Sequence, residues 1–313
     1  MNGQTIVVLG GSGFVGRHLV ARLVTAGNRV VVPTRSRERA RHLILLPTVD
    51  VIEADVHDPL VLARVVRGAG AAVNLVGILN EARSGDFDRV HVELPRKLIA
   101  ACRERGVPRL LHMSALNADS QGPSRYLRSK GEAEALVAAS GLQWTIFQPS
   151  IIVGPEDSFL NLFAKLQHLL PVIALARAEA RFQPVAVDDV ADAYVRALGD
   201  DATHGERYPL CGPKVYTLRE LVAYVGELTG HRRPILALGP SLSKLQASVL
   251  ERLPGKLMSR DNLASMQRDS VCDCPFPPLL GGPPVALEAI APTYIAAAAP
   301  TSRFARIRAQ RGA

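Results

Sequence analysis

Residues 126–134 read YLRSKGEAE. Tyr126 and Lys130 stand one helical turn apart in a helix-forming, acid-rich run, so both side chains leave the same face. A phenol beside an ammonium can work as an acid/base pair, because a nearby positive charge favours loss of the phenolic proton. The same pair could hold a ligand without turning it over, or be one more surface pair on a solvated helix. The choice of lysine is informative: only six of the 37 basic residues are lysine. Lysine is a compact, tunable cation, whereas arginine is a planar fork that stays charged.

A second chemical signature lies near the N-terminus. GGSGFVG (residues 10–16) follows a short apolar run, TIVVLG, and opens a helical pattern. Gly10 permits a tight turn, Gly13 lets backbone approach a pyrophosphate, and Gly16 allows close packing of helix on sheet. The N–H groups of the helix N-terminus then face the phosphates. Strand, glycine turn and helix in this order predict a dinucleotide site. An acidic residue ending the second strand would grip the ribose 2′-hydroxyl of NAD, but Thr34 and Arg35 stand there, with Arg37 close behind. Arginine at that place accommodates a 2′-phosphate, so NADP(H) is the favoured cofactor and NAD(H) the alternative. The competing reading is a solvated basic loop.

The predicted cofactor-lining set is drawn from several strand ends. Gly10, Ser12, Gly13, Phe14, Val15 and Gly16 come from the first turn, and Arg35 and Arg37 follow the second strand. Asp55 ends the third strand, placed to meet an adenine amino group, with Val56 beside it. Leu75, Val76 and Gly77 follow the fourth strand, where Gly77 leaves room for the cofactor ribose. Tyr126, Lys130 and Pro149 complete the set.

The elements that must carry these residues follow from periodicity. Short apolar runs at 5–10, 29–34, 49–55, 71–78, 109–116 and 143–154 predict strands, and helical patterns lie between them. This alternation predicts an α/β protein with a doubly wound parallel (Rossmann) sheet and a smaller C-terminal α/β lobe. The nucleotide-binding domain is expected over 1–154, with 181–200 returning to it. The smaller lobe is expected over 155–180 and 201–270, and a Pro/Ala-rich basic tail over 271–313.

Composition narrows the rest. Hydrophobic content of 48% and charged content of 21% suit a globular protein. The formal charge of +8 permits attraction to phosphates or an anionic surface. Aromatics at 5%, without a nucleic-acid-binding motif, argue against nucleic acid as a partner. The four cysteines are too few and too scattered to predict a disulfide framework, and the eight histidines show no metal-ligand spacing. Reduced thiols and an N-terminus without a basic leader predict a cytoplasmic protein. Asp188–Asp189 at a helix start is expected to serve capping and packing, and His112 to be core or cofactor-lining. LSKLQASVLERLPGKLMSR is basic on one side and leucine-rich on the other. It is expected to pack in the core first and to dock on a membrane or partner second.

GGSGFVG, EADV, the VNLVG strand end, HMSALNAD and YLRSK, in this order, resemble the extended short-chain dehydrogenase/reductases. GGSGFVGRHLV, FDRVHVE, SALNADSQGPSRYLRSKGEAE, PSIIVGPEDSFLNLFA and RFQPVAVDDVADA are similar to an atypical branch. That branch is the Rossmann-type accessory subunit of respiratory complex I and its bacterial homologues. The resemblance implies that Tyr126 is the general acid/base, that Lys130 tunes it and holds the nicotinamide ribose, and that Ser114 polarises a substrate oxygen, with Ser124 a weaker choice. It also shows departures: His91 where asparagine is usual, Gln148 where arginine is common, and a short Ser114-to-Tyr126 loop. In the complex I-like branch the cofactor holds fold and assembly together. The implied function is therefore an NAD(P)(H)-binding accessory or assembly protein of respiratory NADH:quinone oxidoreductase. Complex I subunits or the inner face of the membrane are then its partners, and no metal is expected. The alternative is an active NADP(H)-dependent reductase, dehydrogenase or epimerase acting on a small carbonyl or isoprenoid-like substrate.

Overall fold

The computed structural model describes residues 3–253 and 257–296. The arginine-rich stretch 303–313 lies outside the described residues. The chain forms two compact units. The first comprises residues up to Pro149, Val187–Leu210 and Phe276–Gly282; the second comprises Ser150–Ala186, Cys211–Pro275 and residues from Pro283 on.

The first unit is built on a seven-stranded parallel sheet. Its strands are β1 (Thr5–Leu9), β2 (Arg29–Thr34), β3 (Val49–Glu53), β4 (Ala71–Asn74), β5 (Arg109–Met113), β6 (Gln143–Pro149) and the strand Glu206–Leu210. From one edge the order is Glu206–Leu210, β6, β5, β4, β1, β2, β3. The continuous apolar runs are those of strands covered on both faces. Helices α1 (Phe14–Thr25), α2 (Arg41–Ile44), α3 (Pro59–Val65), α4 (Leu94–Arg105) and α5 (Arg125–Ala138) make the crossovers. Asp58 starts α3 by accepting from the Leu60 and Val61 amides, with Pro59 at the first helical position. Gly106, at φ +68°, ends α4 in the left-handed conformation. Leu9, Leu98, Leu110 and Ile146 meet in one buried core. The strand order reverses between β1 and β4, which opens the crevice at their carboxyl ends where ligands bind in such sheets.

Of the six strands read from apolar runs only β2 ends where its run does, and β4 and β6 fall furthest short. Past β4 the Val76 amide turns to the Asn74 side chain at 3.2 Å instead of a neighbouring strand. β6 stops at Pro149, and Ile152–Val153 pairs with Val185–Ala186 in the second unit. The sheet's last strand also departs from expectation. It is Glu206–Leu210, in parallel register with β6; of the stretch 181–200 expected to return to the first unit, the helix Val187–Leu198 does so, while Arg181–Ala186 pairs within the second unit. A buried arginine helps fasten this edge: Arg109 donates to Gln143 O, Thr145 Oγ1, Ala197 O and Thr203 Oγ1 at 2.7–2.8 Å. Asp188 packs as expected but does so by bridging: it accepts from His18 Nδ1 at 2.9 Å and pairs with Arg22 of α1.

The second unit is small and mixed. Phe182, Leu221, Val225, Leu287 and Ile295 belong to its core. Asp157 of the GPED segment is buried and accepts from the Leu160 amide at 2.6 Å, the Gly154 amide at 3.2 Å and Tyr294 Oη at 2.6 Å. It thereby starts the helix Leu160–Leu169. Part of the region expected to be an extended tail is anchored, because Leu280, Leu287, Ala291 and Ile295 are buried among its prolines and alanines. Cys211 and Cys272 form a disulfide across 61 residues of sequence, contrary to the expectation of reduced thiols. The long separation hides the pairing, which the fold supplies. Gln183 of the RFQPV segment spans it, donating to Gly212 O at 2.6 Å and accepting from the Cys272 amide at 3.0 Å. Cys102 and Cys274 are free.

Candidate functional site

The glycine turn has the geometry its spacing implies. Gly10 takes φ +80°, and the Gly13 amide closes the turn onto Gly10 O at 2.9 Å. A Cβ on Gly16 would lie 2.2 Å from Gly10 O and 2.5 Å from Gly11 Cα, so only glycine lets α1 seat against the turn. Gly13 is the N-cap of α1, exposed and extended in backbone. Ser12, Phe14 and Val15 are half-buried around it, with the Phe14 ring edge-on to His18 at 6.0 Å. A Cβ on Gly10 would press on Leu75 and Val76 at 3.1 Å, so the turn after β1 abuts the segment after β4. The open glycine cradle and the free N-terminal amides of α1 fit a pyrophosphate.

The strand-end residues line up along the same edge. Thr34 is buried and closes a small turn with Ser36, leaving Arg35 and Arg37 exposed and without an ion-pair partner among the described residues. Asp55 is exposed and accepts from the His57 amide at 2.9 Å, with Val56 half-buried between them. Burial, then Arg89, with Lys97 and Arg35, holds His57 below the usual imidazole range, against the opposing pull of Asp55. Beyond burial, three cations, Arg89, Lys97 and Arg35, thus act on His57 against one acid. Pro149 is buried at the end of β6, where its carbonyl accepts from the Leu116 amide at 3.0 Å.

Tyr126 and Lys130 both lie on α5, started by Ser124, whose hydroxyl accepts from the Leu127 amide at 3.1 Å. That cap occupies Ser124, the weaker of the two serine choices. Gly131 lets the helix press against the turn before it: a Cβ there would stand 2.4 Å from Ser120 N. Lys130 is buried and donates to Met113 O at 3.0 Å. Burial pulls its pKa down to about 8, with Glu134 pulling the other way. The Tyr126 phenol is pushed up to about 12 by burial. This is the reverse of the lowering expected from a neighbouring lysine. Burial of the phenol sets the direction, and the Lys130 ammonium is engaged with Met113 O and faces Gly77. A Cβ on Gly77 would come 3.3 Å from Lys130 Nζ and 3.6 Å from His91 Nε2. Ser114 is buried past the end of β5, and its hydroxyl has no hydrogen-bond partner among the described residues.

Two of the departures from the family pattern, His91 and Gln148, are bonded to residues of α5. His91 sits in a π-helical turn, Asp88–Glu93, stacked on Phe87 at 5.4 Å and edge-on to Tyr126 at 5.6 Å. Its Nε2 accepts from the Ile78 amide at 3.0 Å, so the proton is on Nδ1, which donates to Ser129 Oγ at 2.8 Å. Ser129 in turn donates to Tyr126 O at 2.8 Å. Burial, reinforced by Lys130 and His112, pulls the His91 pKa down to about 2. Gln148 donates to Glu134 Oε1 at 2.8 Å, and Arg207 reaches Glu134 Oε2 at 3.2 Å, so α5 is braced against two strands. His112 is buried, its Nδ1 3.2 Å from Asn74 Nδ2. Ser129, Glu134 and Asn74 are the participants that spacing did not single out. Ser129 and Glu134 lie inside the YLRSKGEAE run, but nothing in the sequence shows which groups they meet.

A family model described as NAD(P)H-binding matches residues 10–201. NADH dehydrogenase [ubiquinone] 1 alpha subcomplex subunit 9, mitochondrial, of Mus musculus is 35% identical over 238 residues, covering 74% of this chain and 63% of that protein. The chain therefore spans less than two thirds of the mouse relative's length. The NADH-ubiquinone oxidoreductase 40 kDa subunit of Neurospora crassa is 30% identical over 277 residues, 87% of this chain and 73% of that one. The dTDP-glucose 4,6-dehydratase of Streptomyces venezuelae, solved with NAD bound, superposes with a TM-score of 0.74 at 20% identity, covering 93% of this chain and 95% of that one. That likeness is one of fold.

Proposed function

The chain belongs to the NAD(P)H-binding family, and from that premise we propose that it is an accessory or assembly protein of respiratory NADH:quinone oxidoreductase. In this reading it holds NADP(H) chiefly as a structural element and sits peripherally at the cytoplasmic face of the membrane. The resemblance to the mouse and Neurospora subunits supports the partner. Among the described residues no helix is long and apolar enough to cross a membrane, which accords with a peripheral position.

One observation carries the structural role of the cofactor. The Tyr126–Lys130 pair suits holding a ligand: burial pushes the phenol up to about 12, so it keeps its proton at neutral pH, and Lys130 is positioned by Met113 O. A proton on such a phenol is a fixed hydrogen-bond donor at neutral pH. Lys130 keeps two further N–H donors for ribose hydroxyls. The glycine turn would take the pyrophosphate, and exposed Arg35 and Arg37 would take a 2′-phosphate.

The second reading, an NADP(H)-dependent oxidoreductase, is favoured by the buried Ser114 hydroxyl, which lacks a partner among the described residues. A bound NADP(H) would supply hydride chemistry. Tyr126 would then give or take the proton, and Ser114 would bind the reacting oxygen.

Native electrophoresis of gently solubilised membranes, with the chain located by mass spectrometry, separates the two. Co-migration with the oxidoreductase, unchanged by Tyr126→Phe, is the expected result. A chain found only free of the complex, with a carbonyl-reducing turnover lost in Tyr126→Phe, would overturn it.

A further inference from the structure

The helix Pro240–Leu250 packs with its small and polar residues inward. Ser243 and Ala247, 3% and 0% exposed, form its buried face. There Ser243 Oγ donates to Leu238 O at 3.2 Å, and Gln246 Nε2 donates to Ala174 O at 2.8 Å. Leu242, Leu245 and Val249 point the other way and are 57%, 60% and 50% exposed. Spacings of three and four residues put them on one stripe. Core packing, the first expectation for this stretch, is therefore not what its leucines do. An aliphatic stripe in water on a helix that is otherwise well anchored marks a contact surface.

Charge identifies the occupant. Lys244 and Arg252 flank the stripe, and neither makes an ion pair among the described residues; Arg252 is held by Ser248 O at 2.9 Å. Glu251, the one acid in segment 240–253, is taken up by Arg260 at 2.8 Å. A protein partner would call for aromatic or arginine anchors at the centre of the patch, and the stripe has only aliphatic groups. Aliphatic side chains flanked by uncompensated cations match acyl chains beneath anionic headgroups.

We propose that the helix Pro240–Leu250 docks in the plane of an anionic bilayer surface, with Leu242, Leu245 and Val249 in the acyl layer and Lys244 and Arg252 at the lipid phosphates. This deepens the peripheral placement given above and rests on it for its setting. The test uses the purified full chain and flotation with phosphatidylcholine vesicles, with and without phosphatidylglycerol. Binding is expected with phosphatidylglycerol present. It should fall by about tenfold or more in Leu242→Ser/Leu245→Ser/Val249→Ser and in Lys244→Glu/Arg252→Glu. These residues are exposed, so melting temperature and NADPH binding should stay as in the parent chain, which excludes misfolding as the cause. Absence of vesicle binding, or full binding by the triple serine variant, overturns the proposal. A dimer that the triple variant dissolves would give the stripe to a second copy and overturn it too. Because no oxidoreductase is present, vesicle binding without co-migration in native gels would leave the docking surface standing and remove the accessory-protein reading.

Discussion

His91 Nδ1 lies 2.8 Å from Ser129 Oγ while His91 Nε2 accepts the Ile78 amide at 3.0 Å, so one neutral imidazole joins the segment after β4 to the Tyr126–Lys130 turn of α5. Both ring nitrogens are committed, and protonation would break the Ile78 bond. Burial pulls the pKa of His91 down to about 2 and that of His112 down to about 3, against 6.5 when unfolded. With folded values depressed, stability is full above the unfolded pKa and is lost as pH falls below it. Each group contributes a slope of at most about 1.4 kcal/mol per pH unit. Urea unfolding should therefore show stability falling by roughly 2 kcal/mol between about pH 6 and pH 5. His91→Asn should flatten that slope by about half. An unchanged slope would place the titration elsewhere.

Gly16 and Gly13 separate fold from site. A Cβ at Gly16 meets backbone at 2.2 Å, which cannot yield without moving the turn. Gly16→Ala should destabilise by about 1–3 kcal/mol or prevent soluble expression. At Gly13 the nearest atom to a Cβ is Gly10 O at 3.2 Å, and φ is −81°. Gly13→Ala should fold with little loss of stability while weakening NADPH binding, because the added methyl occupies the approach to the pyrophosphate. Calorimetry with fluorescence titration of NADPH distinguishes the two outcomes. Equal stability loss in both variants would remove the assigned division of labour.

Arg35 and Arg37 are exposed and unpaired with acid among the described residues. A charge-assisted contact to a 2′-phosphate is worth about 1.5–3 kcal/mol, so Arg35→Ser should weaken NADPH by about tenfold or more and leave NADH nearly unaffected. Parallel titrations with the two nucleotides check this. Equal weakening of both would assign Arg35 to something other than the 2′-phosphate.

Much of the sheet was legible because its order comes from local signals. Buried parallel strands require continuous apolar runs such as TIVVL, and the glycine turn and YxxxK carry their geometry in short spacings. What escaped depends on long-range partners. Glu206–Leu210 has little to mark it as the strand that closes the sheet, since its place comes from pairing with β6 and from the buried Arg109 network. Sequence spacing reports the proximity of Lys130 to Tyr126 and not the burial of the phenol, and burial sets the sign of its shift. The leucines of Pro240–Leu250 fit a helical period equally well facing in or out. Ser243 and Gln246 decide the matter through hydrogen bonds to residues elsewhere in the fold.

Cys211 and Cys272 were hidden for the same reason, standing 61 positions apart in sequence with no motif around either. A loop of that length gives a chain-entropy stabilisation of about 4 kcal/mol. Gln183, bonded to Gly212 O and the Cys272 amide, holds the two ends together independently of the sulfur link. Reduction should therefore loosen the second unit without unfolding it outright, and the combination of reduction with Gln183→Ala should cost more than either alone. Limited proteolysis and urea titration, with and without a reducing phosphine, measure both effects. The expected loss on reduction is up to about 4 kcal/mol, reproduced by Cys211→Ser. Curves unchanged by reduction and by Cys211→Ser, but shifted by Gln183→Ala, would mean that the bond does not form in solution and that Gln183 alone clasps this part of the chain.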